Sequence, residues 1–251
     1  MFTWPRIVKK PKGKNILVLA PHMDDEIIGC GGVICKHIQN GDSVAVVYFT
    51  RGDKGNKNFS SDNTLSNIRK IEMQHSNEIL GIQKTYFLDF EDGTNDDWGS
   101  KKEELRAIYL DLNPDLVYLP PYYDLHLDHR KTNWLFKEAT ESLNVCDLCI
   151  YEVWTPINPN MMINITQQID TKISAICACK TQVDSVDYVS FIKNLNSYRS
   201  SFAMSPLVKY AECFYLLSAN EYFSKFNKNE FDWHSADKKQ TWRKRNVKDN
   251  I

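Results

Sequence analysis

The feature that most constrains this chain is the alternation of short, unbroken apolar runs with longer segments of helical periodicity. Asn15 to Ala20 reads Asn-Ile-Leu-Val-Leu-Ala, and Ser43 to Phe49 reads Ser-Val-Ala-Val-Val-Tyr-Phe. Both are too short for a stable helix and apolar at successive positions, as strands covered on both faces of a parallel sheet are. Thr85 to Phe90 and Pro114 to Leu119 read as further strands, and Leu148 to Trp154 as extended chain. Between them, Ile27 to Gln39 places Ile27, Ile28, Val33, Ile34 and Ile38 at helical spacing and stops near Gly41, while Thr64 to Leu80 stops at Gly81. Lys101 to Leu112 and Lys131 to Leu143 complete the helical segments of the first 150 residues. Strands separated by helices predict an α/β fold with a parallel sheet and right-handed crossovers.

The remainder is less regular. Thr171 to Gln182 and Val189 to Ser200 read as helices, and Ala211 to Ser218 as either a strand or a core helix. Neither a repeat nor a low-complexity linker divides the 251 residues, which predicts a single domain: a parallel core over 1–150, a second region over 151–236 and a basic, polar, solvated tail over 237–251. With 31 Lys+Arg against 32 Asp+Glu the formal charge is −1, so no global field exists to hold nucleic acid. No apolar run approaches the ~20 residues of a membrane helix. Seven cysteines and no apolar leader after Met1 suggest a soluble, cytoplasmic protein. Oligomeric state stays open, a homo-oligomer included.

Chemistry concentrates after two of the strands. The first is followed by Ala20-Pro21-His22-Met23-Asp24-Asp25-Glu26, then Gly29-Cys30-Gly31-Gly32. A dinucleotide-binding Gly-x-Gly-x-x-Gly counted from Gly29 would need its third glycine at Ile34, so the spacing fails. A pyrophosphate would also face three carboxylates, so these glycines are expected to serve close packing of helix on sheet. One acid could be a helix cap, but three acids and a histidine within five residues suit a divalent cation better. The fourth strand runs into Tyr122-Tyr123-Asp124-Leu125-His126-Leu127-Asp128-His129, two imidazoles three residues apart with an acid between them to orient a ring N–H. His37, His75 and His234 are given no functional role. Tyr122, Tyr123 and Trp154 could stack on a ligand or merely pack. Cys146, Cys149, Cys177 and Cys179 read as buried free thiols rather than a metal knuckle.

Pro21-His22-Met23-Asp24-Asp25-Glu26 resembles the Pro-His-Pro-Asp-Asp-Glu motif of the LmbE/PIG-L family of zinc-dependent N-deacetylases, and His126-Leu127-Asp128-His129 is similar to its His-x-Asp-His motif. Thr50-Arg51-Gly52-Asp53-Lys54-Gly55, the Arg69-x-x-Glu72 helix ending at Leu80-Gly81, and Phe87-Leu88 followed by Asp92-Gly93 resemble further family segments in the same order. Ala211-Glu212-Cys213-Phe214 resembles a segment near the family's C-terminus. Met23 stands where the family has proline, and Asp53 where glutamate is more frequent. The resemblance implies a three-layer Rossmann-like fold with a mostly parallel sheet flanked by helices, the region over 151–236 walling the substrate. It implies one Zn2+ held by His22, Asp25 and His129, with Asp24 as general base and a protonated His126 stabilising the oxyanion. Glu26 and Asp128 would then orient the ligands, and Arg69 and Asp92 would contact an N-acetylated sugar. For Arg69 the alternative is an ion pair with Glu72. A metal-dependent amidase or esterase on a non-sugar molecule, and a non-catalytic binding module, are the rival functions.

Overall fold

The computed structural model describes residues 4–54, 62–94 and 97–226; the basic tail over 237–251 lies outside them. In chain order the elements are β1 (Arg6–Val8), β2 (Asn15–Ala20), α1 (Asp25–Gln39), β3 (Ser43–Thr50), α2 (Asp62–Leu80), β4 (Lys84–Phe90), α3 (Lys102–Leu112) and β5 (Leu116–Leu119). They continue as α4 (Leu127–Thr140), β6 (Asp147–Ile150), β7 (Met161–Asn164), α5 (Ile169–Ala178), α6 (Lys180–Val183), α7 (Tyr188–Ser200), β8 (Ala211–Leu217) and α8 (Ala219–Phe226).

All eight strands join one sheet in the order β1-β7-β8-β6-β5-β2-β3-β4. Each neighbouring pair is parallel except where β8 meets β6 and β7. The alternation within β2 decides the layers. Ile16 and Val18 face α1, α2, α5 and α7, packing with Ile27, Met73, Ile176 and Ile192. Leu17 and Leu19 face α3, α4 and α8, packing with Leu105, Phe136 and Tyr222. A sheet covered on both faces must be apolar at consecutive positions, which is what the sequence of β2 and β3 shows.

Strand β2 pairs with β3 on one side and β5 on the other. The chain leaves β2 toward β3 and β4, then crosses back to β5, so the sheet changes direction between β2 and β5. Ligands of open α/β sheets bind outside the carboxyl ends of strands at such a point. Both His/Asp segments begin there.

Several elements depart from the sequence expectation. Helix α4 begins at Leu127 rather than Lys131, so the second His/Asp segment occupies its first turn. Strand β6 stops at Ile150, and beyond it the buried Glu152 accepts the Ile157 amide at 2.8 Å and the Arg199 Nε at 2.9 Å. The helix expected over 171–182 is two helices, broken at Cys179. Among the described residues no helix is long and apolar enough to cross a membrane.

Candidate metal centre

Asp24 holds the N-cap position of α1, yet its carboxylate makes no capping bond to the helix amides. That leaves it free for other work, although it is 5% exposed. Asp25, one residue on, accepts the His22 amide at 2.9 Å and lies 3.1 Å from His22 Nδ1 through the same oxygen, Oδ2. That oxygen is also 3.1 Å from His129 Nε2, which reaches it from the first turn of α4. Three ligand-type atoms from two distant segments therefore meet at one point. Bonds of about 2.0–2.1 Å to a tetrahedral zinc place ligand atoms roughly 3.3 Å apart, so the spacing suits that ion.

The imidazoles are oriented from behind by carboxylates. His22 Nε2 faces Asp128 Oδ2 at 3.2 Å, and that oxygen also accepts the Gly93 amide at 2.8 Å. His129 Nδ1 faces Asp124 Oδ2 at 3.5 Å. Each ring thus turns one nitrogen toward an acid and the other toward the shared point, the arrangement that fixes the tautomer of metal-binding histidines. His129 is fully buried and neither of its nitrogens has a hydrogen-bond partner. Its neighbours Asp25 and Asp124 face it as acids without meeting hydrogen-bond geometry, and a cation at Nε2 would satisfy the ring and the Asp25 carboxylate together. The residues present therefore fit a divalent metal. His22, His126 and His129 also bring one nitrogen each within 4.8 Å of one another. Asp25 Oδ2 lies 3.1 Å from one nitrogen each of His22 and His129 and adds a negative charge.

Electrostatics agree. Against the cost of burial, Asp128 and Asp25 raise His22 well above its ordinary range, and the same balance with Asp25 and Asp124 lifts His129 to about 9. Asp25 is held far below the usual carboxylate range by His129 and His22, again against burial. The cavity demands positive charge, which protons on the rings supply when no metal does. Asp24 goes the other way: burial, then the charge of Asp25, push it up to about 7.

His126 caps α4 with its side chain, Nδ1 accepting the Asp128 amide at 3.2 Å. That bond leaves the proton on Nε2. Burial, then the His22 and His129 charges, pull its pKa down to about 3. Both observations favour a neutral ring that donates through Nε2–H over the protonated His126 of the sequence expectation.

Of the other expected residues, Glu26 is buried behind the site, its Oε1 accepting the Tyr48 hydroxyl at 2.8 Å. Asp124, which faces His129, was missed, although its position two residues before His126 offered the signal. Arg69 does not pair with Glu72, which instead accepts the Thr181 amide and hydroxyl. Arg69 donates to the Lys54 carbonyl at 3.0 Å and stands 3.8 Å from Asp92. Asp92 accepts the Gly52 and Lys54 amides, organising the loop after β3. Gly52 has φ +66°, and a Cβ there would lie 2.8 Å from Arg69 Cδ, so glycine suits the close approach of loop and arginine. Trp154 packs on Tyr188 and Phe191, whereas Tyr123 stands at the surface. The Gly29–Gly32 glycines serve packing: a Cβ on Gly29 would lie 2.2 Å from Tyr151, and one on Gly32 2.7 Å from Ile165. All seven cysteines are free.

A family model described as PIG-L: GlcNAc-PI de-N-acetylase matches residues 17–140, the stretch that carries both His/Asp segments. The chain belongs to the PIG-L (LmbE-like) family. Among PIG-L relatives, a probable N-acetyl-alpha-D-glucosaminyl L-malate deacetylase 2 of Bacillus cereus is 27% identical over 72% of this chain and 90% of that protein. The diacetylchitobiose deacetylase of Thermococcus kodakarensis is 29% identical over 67% of this chain and 70% of that protein. The structure of N,N'-diacetylchitobiose deacetylase from Pyrococcus horikoshii, complexed with an inhibitor, superposes with a TM-score of 0.73 at 26% identity, covering 84% of this chain and 86% of that one. The fold is also that of GalB, a 4-carboxy-2-hydroxymuconate hydratase from Pseudomonas putida (TM-score 0.72, 20% identity, covering 81% and 96%), so the PIG-L architecture alone does not decide chemistry.

Proposed function

We propose that this chain is a zinc-dependent N-deacetylase that removes the acetyl group from an N-acetylglucosamine-type sugar or its conjugate. One observation carries the reading: Asp25 Oδ2 lies 3.1 Å from both His22 Nδ1 and His129 Nε2, with the uncommitted Asp24 carboxylate on the neighbouring residue. The family and its deacetylase relatives support the choice of amide hydrolysis among metal-dependent chemistries.

His22, Asp25 and His129 hold the ion. When bound, zinc supplies a Lewis acid and lowers the pKa of water toward about 7. Asp24 accepts the proton of the attacking water and later returns it to the leaving amine; a base poised near neutrality suits both transfers. Neutral His126 donates its Nε2–H to the oxyanion as the carbonyl is attacked. Asp128 and Asp124 fix the His22 and His129 rings, so no reorientation is required during reaction. Arg69 meets the sugar hydroxyls, and Asp92 holds the loop that frames it. The chain works as one domain, the region over 151–236 walling the substrate, in a reducing cytoplasm that suits its free thiols.

The test is acetate release by purified, zinc-loaded protein from N-acetylglucosaminyl malate, N,N'-diacetylchitobiose and simple N-acetylglucosaminides. Turnover of at least one, abolished by a chelator and restored by zinc, is the expected result. Metal-replete protein that releases no acetate from any N-acetylated sugar overturns the proposal.

A further inference from the structure

Helix α1 is not continuous. Cys30 has φ −144° and ψ 16°, which breaks the ladder one turn after the segment that carries Asp24 and Asp25. In an unbroken helix the Gly32 amide would donate to the Ile28 carbonyl. Here an ion pair stands between them. Glu212 of β8 accepts the Gly32 amide on Oε1 at 2.7 Å and the Val33 amide on Oε2 at 2.8 Å. Lys172 of α5 donates to the Ile28 carbonyl at 2.8 Å and to Glu212 Oε1 at 2.7 Å. Its third proton goes to Asn196 of α7 at 3.0 Å, and Asn196 in turn donates to the Ala211 carbonyl at 3.0 Å. The Cys30 thiol donates to the Glu26 carbonyl at 3.2 Å. Lys172 is fully buried and Glu212 is 1% exposed.

Side chains inserted into the ladder are a recognised cause of helix kinks. This insertion separates a first turn, Asp25–Gly29, from the body of α1 and fastens both cut ends to one buried pair. Gly29 and Gly32 keep the break thin enough for Tyr151 and Ile165 to pack against it.

We infer that Lys172 and Glu212 are positioning residues, a wedge that sets the angle of the first turn so that Asp25 meets His129 and Asp24 stands free beside it. The inference rests on the zinc reading above and extends it: the C-terminal half, through α5 and β8, aligns a metal ligand that sits on the N-terminal half. Without the wedge, the Gly32 amide can reclaim the Ile28 carbonyl and the helix straightens, swinging Asp25 relative to His129.

Two variants test this. Lys172→Met/Glu212→Gln removes both charges together, avoiding a lone buried ion. Glu212→Asp keeps the ion pair but is one methylene too short to hold both amides. In each, zinc affinity is measured by competition with a chromophoric chelator, and kcat and KM with the best substrate. Amide exchange over Asp25–Gly29 is read in the metal-free proteins. The expected result is zinc binding weakened about 10–100-fold, the loss usual when groups supporting a ligand are removed. The fall in activity is expected in kcat rather than KM, with faster exchange in the first turn. Should the double variant fail to fold, Glu212→Asp decides on the same measurements. A folded variant that binds zinc within threefold of the parent and exchanges at the parent's rate overturns the wedge. A parent that binds no zinc overturns the metal reading instead, and the exchange measurement still decides the wedge.

Discussion

Replacing Gly29 by alanine isolates the close packing on which the first turn of α1 depends. An added Cβ would lie 2.2 Å from Cδ2, 2.8 Å from Cγ and 2.9 Å from Cε2 of Tyr151. Ordinary carbon contacts need roughly 3.5–4.0 Å, so ring and helix must part by more than about 1 Å. Tyr151 has nowhere to go: it is fully buried and its hydroxyl donates to the Leu19 carbonyl at 2.7 Å, inside the central strand β2. Overpacking of this kind costs about 1–3 kcal/mol, and losing the hydroxyl bond adds about 1 kcal/mol. Alanine's better helix propensity returns about 1 kcal/mol, leaving a net loss of roughly 1–3 kcal/mol. For a chain of this length that lowers Tm by about 2–12 °C, measurable by calorimetry on metal-free protein. Because the displaced turn carries Asp25, zinc affinity should fall as well. A Gly29→Ala protein melting within a degree of the parent would refute the argument that these glycines serve close packing.

Other substitutions probe the chemistry directly. Asp24→Asn should retain zinc within threefold while kcat drops about 10²–10⁴-fold, the usual share of a general base; equal turnover would remove Asp24 from the mechanism. Folding raises the His129 pKa from 6.5 to about 9, so the stability it lends the metal-free protein is complete below pH 6.5 and lost as pH rises through 9. The contribution is about 3 kcal/mol. Urea unfolding of metal-free protein should therefore show a decline across that window that His129→Gln lacks, and an identical profile in the variant would show that His129 carries no such shift. Arg69→Ala removes a charged hydrogen-bonding group worth roughly 1.5–3 kcal/mol, so kcat/KM should fall tenfold or more through KM. Unchanged kcat/KM would confine Arg69 to holding the Lys54 loop.

Much of the fold could be read from the chain because β2 and β3 are apolar at successive positions, and only a strand covered on both faces needs that. The crevice followed from the order of segments, since a His/Asp loop after each of two parallel strands reaches one place only if those strands are neighbours. Short elements were harder. β1 spans three residues at the sheet edge with two of them exposed, and β7 spans four, so neither builds a periodic signal. The start of α4 was hidden because its cap is an imidazole, not a Ser, Thr, Asp or Asn side chain. Within the site, the ligand-type residues were visible as types and spacings. Their supports were not. Asp92 bonding the Gly52 amide joins positions 40 apart, and Glu212 bonding the Gly32 amide joins positions 180 apart. Such contacts exist only once the sheet has assembled. Protonation was equally out of reach, because burial and two neighbouring rings, rather than anything adjacent in sequence, pull the His126 pKa down.

The most direct test is the coordination of bound zinc, read by X-ray absorption on the wild type and on Asp25→Asn, His126→Gln and His129→Gln proteins. Two imidazole nitrogens and a carboxylate oxygen at about 2.0–2.2 Å, unchanged in His126→Gln and disrupted in the other two, is the result this account predicts. Three imidazole nitrogens, with His126→Gln losing one and Asp25→Asn leaving the spectrum untouched, would contradict it.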